Sequence, residues 1–150
     1  MTEPLRIERP ATPENLAHFL AFIDGACARF GVDGDTRYAL RLAVEEVCIN
    51  LTAHGYAGLA PGPIAISAQA ETDCVTITIR DFARPFDPSS APPPDLTSAA
   101  ESRLPGGLGW YLLKQFIDEV HYVANAREGN LLTLVQKTRP RTTSGEHHGN

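Results

Sequence analysis

The 150-residue sequence has no excess of basic residues, no apolar run long enough for a membrane and no paired cysteines, and each shortage removes a class of function. Thirteen Lys and Arg stand against eighteen Asp and Glu, a formal charge of −5, so the chain lacks the field that holds a nucleic-acid backbone. Nucleic acid is therefore not expected as a partner. No stretch approaches the roughly 18 apolar residues of a membrane span, and the opening MTEPLRIERPATPEN is broken by acids and prolines rather than patterned as a signal peptide. A cytoplasmic protein without a membrane partner is expected. The three cysteines, Cys27, Cys48 and Cys74, are odd in number and far apart, which argues against a disulfide framework and against a zinc site. Free thiols are the expectation. His18, His121, His147 and His148 form no metal-binding spacing, and no serine sits in a nucleophile elbow, so a hydrolase has no support. What is present, 43% hydrophobic and 21% charged residues, is the composition of one globular domain.

Leu5, Ile7 and Arg9 read as a short strand, followed by a helix with Thr12 as N-cap and Pro13 at its first position. Its apolar residues, Leu16, Phe19, Leu20, Ile23, Ala26, Cys27 and Phe30, recur every three or four positions, and Gly31 is placed to end it. Asp33 or Asp35 then caps a second helix running to about Thr52 or His54, with Leu40, Val44, Val47 and Leu51 as its core stripe. Residues 63–81 read as a β-hairpin, with Ile64, Ile66 and Ala68 alternating in one strand and Val75, Ile77 and Ile79 in the next. Half of the twelve prolines fall between Pro85 and Pro105, a stretch that can be neither regular helix nor central strand and has the length of a lid, a binding loop or a linker. A third helix opens at Gly106, Gly107 and Gly109, with Leu108, Leu112, Leu113 and Phe116 on its apolar side. A second hairpin follows, Val120, Tyr122 and Ala124 against Leu132, Leu134 and Gln136, turning at residues 127–130. Residues 138–150 carry almost no apolar content and read as a disordered tail. This order of elements predicts one α+β domain over residues 1–137, a two-layer sandwich with helices on one face of a mixed, mostly antiparallel sheet.

Three segments carry chemistry. Glu46 and Asn50, four apart on the second helix, share a face with His54 one turn on, and offer a carboxylate beside a neutral amide oxygen. Such a pair suits a general base next to a hydrated Mg²⁺, although acidic and amide residues also form ordinary solvated faces. Asp81, in RDFARPFDP at a strand end, is placed to accept a hydrogen bond from a ligand amine or simply to shape a turn. The glycines of LPGGLG precede a helix, where backbone N–H groups and the helix dipole favour phosphate, or else form a plain loop.

Together, AVEEVCINLTAHGY, RDFARPFDP and GGLGWYLLKQFIDEVHY resemble the serine-protein kinases that act as anti-sigma factors in bacterial partner-switching systems. Those proteins share the Bergerat ATP-binding fold of gyrase and histidine kinases, and the resemblance covers roughly residues 10–137. It implies ATP and Mg²⁺ as cofactors, with Asn50 holding the metal, Glu46 as general base for the acceptor serine and Asp81 reading the adenine amino group. Residues at about 87–105 would be the nucleotide lid, the backbone at Gly107 and Gly109 would meet phosphates, and Phe86 and Leu108 would wall the pocket. Thr133 would place a hydroxyl near the base. The implied partners are an antagonist protein of the STAS type and a sigma factor or other regulatory target, and relatives of this kind often form homodimers.

The family pattern has glycine two residues after the aspartate, where this chain has Ala83. The added methyl is expected to crowd the adenine or to demand a different backbone angle, weakening ATP binding. Ala83 therefore favours an alternative, a regulatory binding module, with or without nucleotide, that has no kinase activity. The intact pair of Glu46 and Asn50 favours the kinase.

Overall fold

A computed structural model describes residues 3–85 and 113–138. The chain opens with β1 (Leu5–Pro10), whose alternate residues are exposed as its pattern requires. A 3-10 turn, Pro13–Asn15, intervenes before helix α1 (Leu16–Phe30). The helix thus starts three residues later than the Thr12–Pro13 signal predicts. Thr12 makes no side-chain cap to the backbone, and its hydroxyl accepts instead from Asn15 Nδ2 at 3.0 Å. Asn15 also bonds the Pro10 carbonyl at 2.9 Å and accepts from Arg9 Nε at 2.7 Å, so one buried amide stitches β1 to the entry of α1.

Gly31, at φ 72°, ends α1 in the left-handed conformation that a side chain would strain. Asp33 caps α2 (Gly34–Asn50), its carboxylate accepting from Thr36 N at 3.1 Å and from the Thr36 hydroxyl at 2.6 Å. Beyond Asn50 the helix loosens into a π-helical turn, Leu51–Gly55. The expected stripe is confirmed, with Leu40 and Val44 fully buried, Val47 nearly so and Leu51 partly buried against the core.

The predicted hairpin is β2 (Pro63–Ala70) against β3 (Cys74–Asp81). A helical turn at residues 113–116 leads into β4 (Glu119–Val123), and β5 (Asn130–Lys137) completes the sheet. The five strands run in the order β1-β2-β3-β5-β4, and every pairing among the described residues is antiparallel. The chain therefore leaves β3, reaches the far edge at β4 and returns to place β5 between the two. The second hairpin turns earlier than predicted. Residues 124–129 form the turn, pinned by Asn125 Oδ1 accepting from Arg127 N and Glu128 N at 2.8 and 2.9 Å, and Asn130 is already in the strand.

Period-two burial gives the sheet two unlike faces. Ile64, Ile66, Ala68, Val75, Ile77, Ile79, Leu132 and Leu134 turn inward and join Phe19, Ile23, Leu40, Val44 and Val47 in one core, so α1 and α2 cover a single face. This is the two-layer α+β sandwich expected from the order of elements. Cys27 and Cys48 lie in that core, where burial pushes their thiols up to about 11 and about 12, and Cys74 is half-buried. No helix among the described residues is long and apolar enough to cross a membrane.

Candidate functional site

Glu46 and Asn50 stand one turn apart at the C-terminal end of α2, both half-buried. Asn50 Nδ2 donates to the Glu46 carbonyl at 2.9 Å and to Glu46 Oε2 at 3.4 Å. That orientation spends the amide's donors on Glu46 and leaves Asn50 Oδ1 as a neutral, hard oxygen of the kind Mg²⁺ takes. The residues present therefore fit such an ion. Burial raises the Glu46 pKa, the neighbouring Glu45 charge adds to this, and the bond from Asn50 opposes both. A carboxylate displaced upward in this way is a better proton acceptor than a solvated one.

His54 does not extend this face. The π-helical turn breaks the 3.6-residue register after Asn50, and His54 stands exposed within it. The same turn brings the chain back to the sheet. Tyr56, 6% exposed, donates its hydroxyl to the Pro63 carbonyl at 2.9 Å and accepts from Phe82 N at 2.8 Å, tying the exit of α2 to the start of β2 and the end of β3. Arg84 adds a backbone bond to the Gly55 carbonyl at 3.2 Å and a guanidinium bond to the Ala57 carbonyl at 2.6 Å. Glu46–Gly55 and Asp81–Arg84 are thus fastened together at one end of the sheet.

Asp81 is the last residue of β3, 5% exposed, on the helix-covered face. Its Oδ1 accepts from Ala83 N at 2.8 Å and from Asn130 Nδ2 at 3.0 Å. Oδ2 has no donor among the described residues. Burial raises the Asp81 pKa, and the bonds from Asn130 and Ala83 pull it back. A buried carboxylate anchored through one oxygen can accept an N–H donor from a ligand at the other.

Ala83 requires no unusual backbone angle. No non-glycine residue among those described has a positive φ, so its backbone is ordinary. Its side chain is buried toward Gly55, where an added Cβ would come within 3.0 Å of the Ala83 methyl. The missing side chain at Gly55 is what accommodates the extra one at Ala83.

Thr133 is not brought to Asp81. It pairs with Thr78 and His121 in the sheet and shares the half-buried alternation phase of the outer face, opposite to Asp81. The residue beside Asp81 is Asn130, its direct partner across β3 and β5 and 3% exposed. Sequence reasoning placed Asn130 in a turn, and missed Tyr56 and Gly55 as supports of the site. An Asn after a turn glycine at a strand start is the only local signal, and it does not reveal the partner strand. Phe86, Gly107, Leu108 and Gly109 lie outside the described residues, as do the expected lid at 87–105 and residues 139–150 of the expected tail.

A family model described as the histidine kinase-like ATPase domain matches residues 9–136. The chain is similar to the serine-protein kinase RsbW of Bacillus pumilus, 27% identical over 128 residues that cover 81% of this chain and 79% of the relative. It is 29% identical over 105 residues to the serine/threonine-protein kinase BtrW of Bordetella bronchiseptica, covering 69% of this chain and 72% of the relative. In three dimensions it resembles a crystal structure of the RsbU and RsbW domains of a Mycobacterium tuberculosis protein, with a TM-score of 0.66 at 20% identity. That match covers 93% of this chain and 34% of the longer one, and speaks for the fold. A family model that matches most of the chain, over the two-layer sandwich described above, leads to one assignment: the chain belongs to the histidine kinase-like ATPase domain family.

Proposed function

We propose that the protein is an ATP- and Mg²⁺-dependent serine-protein kinase that phosphorylates a STAS-type antagonist and so governs its own binding to a sigma factor or similar target. The observation that carries this reading is the fastening of the Glu46–Asn50 pair to the strand end that holds Asp81, a carboxylate with one oxygen anchored and no donor to the other among the described residues. Asp81 accepts the adenine amine, Asn50 Oδ1 holds the metal and Glu46 faces the acceptor. Bound Mg²⁺ supplies charge neutralisation on the phosphates, the larger part of phosphoryl-transfer catalysis alongside positioning. Glu46 takes the serine Oγ proton as Oγ bonds the γ-phosphorus and the bond to the ADP oxygen breaks. Its raised pKa makes it competent to receive that proton. The kinase names of the relatives support the same reading. The non-catalytic alternative rests on Ala83, whose methyl faces Gly55, and the ATP titration below decides between the two readings.

The test pairs two measurements. Calorimetric titration should give ATP binding that depends on Mg²⁺ and falls about tenfold or more in Asp81→Asn, the worth of a hydrogen bond to a charged group. Transfer of the γ-phosphate to a STAS-type antagonist should fall about 100-fold or more in Glu46→Gln with ATP binding retained. Transfer at the unmodified rate in Glu46→Gln removes the base assignment, and absence of ATP binding by folded protein removes the whole reading.

A further inference from the structure

We propose that Asn130 is the positioning residue of Asp81, and through it sets the preference for a purine that carries an exocyclic amine. Asn130 comes from β5, 49 positions along the chain from Asp81, yet the register places the two directly opposite one another. Its Nδ2 has two protons and both are spent, one on Asp81 Oδ1 at 3.0 Å and one on the Ala83 carbonyl at 2.9 Å. With Ala83 N on the same Oδ1 at 2.8 Å, the three groups close a ring of hydrogen bonds that fixes the carboxylate's rotation. Both side chains are almost fully buried, so water is not there to replace a lost donor. A carboxylate held by one oxygen presents the other in a single direction, which is what separates reading an amine from merely tolerating a base.

The proposal rests on the reading of Asp81 as the group that meets the base, and the experiment separates the two. ATP and purine riboside triphosphate, which lacks the 6-amino group, are titrated against the unmodified protein, Asn130→Leu and Asn130→Asp. Leu deletes both donors at similar volume, and Asp replaces them with an acceptor of the same shape. The unmodified protein should prefer ATP by about tenfold or more. Both variants should lose that preference to within about threefold, while their affinity for the analogue stays near that of the unmodified protein. A general loss of structure would weaken the two nucleotides together, so the ratio isolates positioning from folding.

Equal binding of the two nucleotides by the unmodified protein removes the base-reading role of Asp81, and this proposal with it. A folded variant that keeps the full preference overturns the positioning role alone. A measurement needing no variant covers the case in which both fail to fold. In the unmodified protein the Asn130 side-chain amide protons should exchange far more slowly than those of an exposed Asn, and exchange at the exposed rate overturns the proposal.

Discussion

Asp81 costs the protein stability near neutral pH. Burial raises its pKa from the ordinary 3.8, so the folded state binds this proton more readily than the unfolded chain does. Its contribution is fully present below the unfolded pKa and is lost as pH rises through the raised folded value. Asp81→Asn keeps an oxygen for Ala83 N and Asn130 Nδ2 but has no charge to bury. Its melting temperature should exceed that of the unmodified protein at pH 7, and the gap should close toward pH 4 and below. A variant less stable than the parent at pH 7 would show that the anchored carboxylate is net favourable. Gly129, directly before Asn130, is fixed by a different demand. At φ +88° its absent Cβ would sit 2.7 Å from the Asp81 carbonyl, so Gly129→Ala should cost at least about 1 kcal/mol in denaturant unfolding and disturb the Asp81–Asn130 rung.

Among the elements, the helices were legible because their signals are local. Gly31 stops α1 and Asp33 starts α2 through contacts within a few residues, and Leu40, Val44 and Val47 declare their face by spacing alone. The hairpin of β2 and β3 was legible for the same reason. Asn130 was not, because its meaning depends on which residue lies across the sheet, and no local pattern encodes a register between strands so far apart in the chain. Thr133 teaches the opposite lesson. The alternation that sends Leu132 and Leu134 into the core already sends Thr133 the other way, so periodicity held the answer that the family resemblance obscured. The π-helical turn was illegible too, since nothing in LTAHG departs from ordinary helix spacing. Tyr56, just beyond it, does the docking. Tyr56→Phe removes a donor to Pro63 and the acceptor of Phe82 N, and should cost about 1–3 kcal/mol in chemical denaturation. An unchanged denaturation midpoint would mean that the strand end holds its place without the hydroxyl.

For the molecule as a whole, the sheet is closed by its last strand. β5 lies between β3 and β4, so among the described strands β4 pairs through this one late segment alone and β3 gains its second partner from it. Leu134 is fully buried, opposite Ile77 on one side and Val120 on the other. Leu134→Ala should therefore cost about 2–5 kcal/mol, with a lower denaturant midpoint and an unchanged slope. A lowered slope as well would mean that β4 detaches before the rest unfolds. Such a long-range closure also predicts slower folding than an all-helical domain of this size would show.

The contact between Gly55 and Ala83 bears on the routes by which this chain can change. The two positions share one methyl's worth of room, so the order of substitution matters as much as its outcome. Ala83→Gly opens space at once, after which Gly55→Ala meets Leu51 but no longer the Ala83 methyl. Taken the other way round, the first step drives two methyl groups to 3.0 Å and must be survived before the second can relieve it. Descendants of this sequence should therefore acquire a side chain at position 55 only after losing the one at position 83.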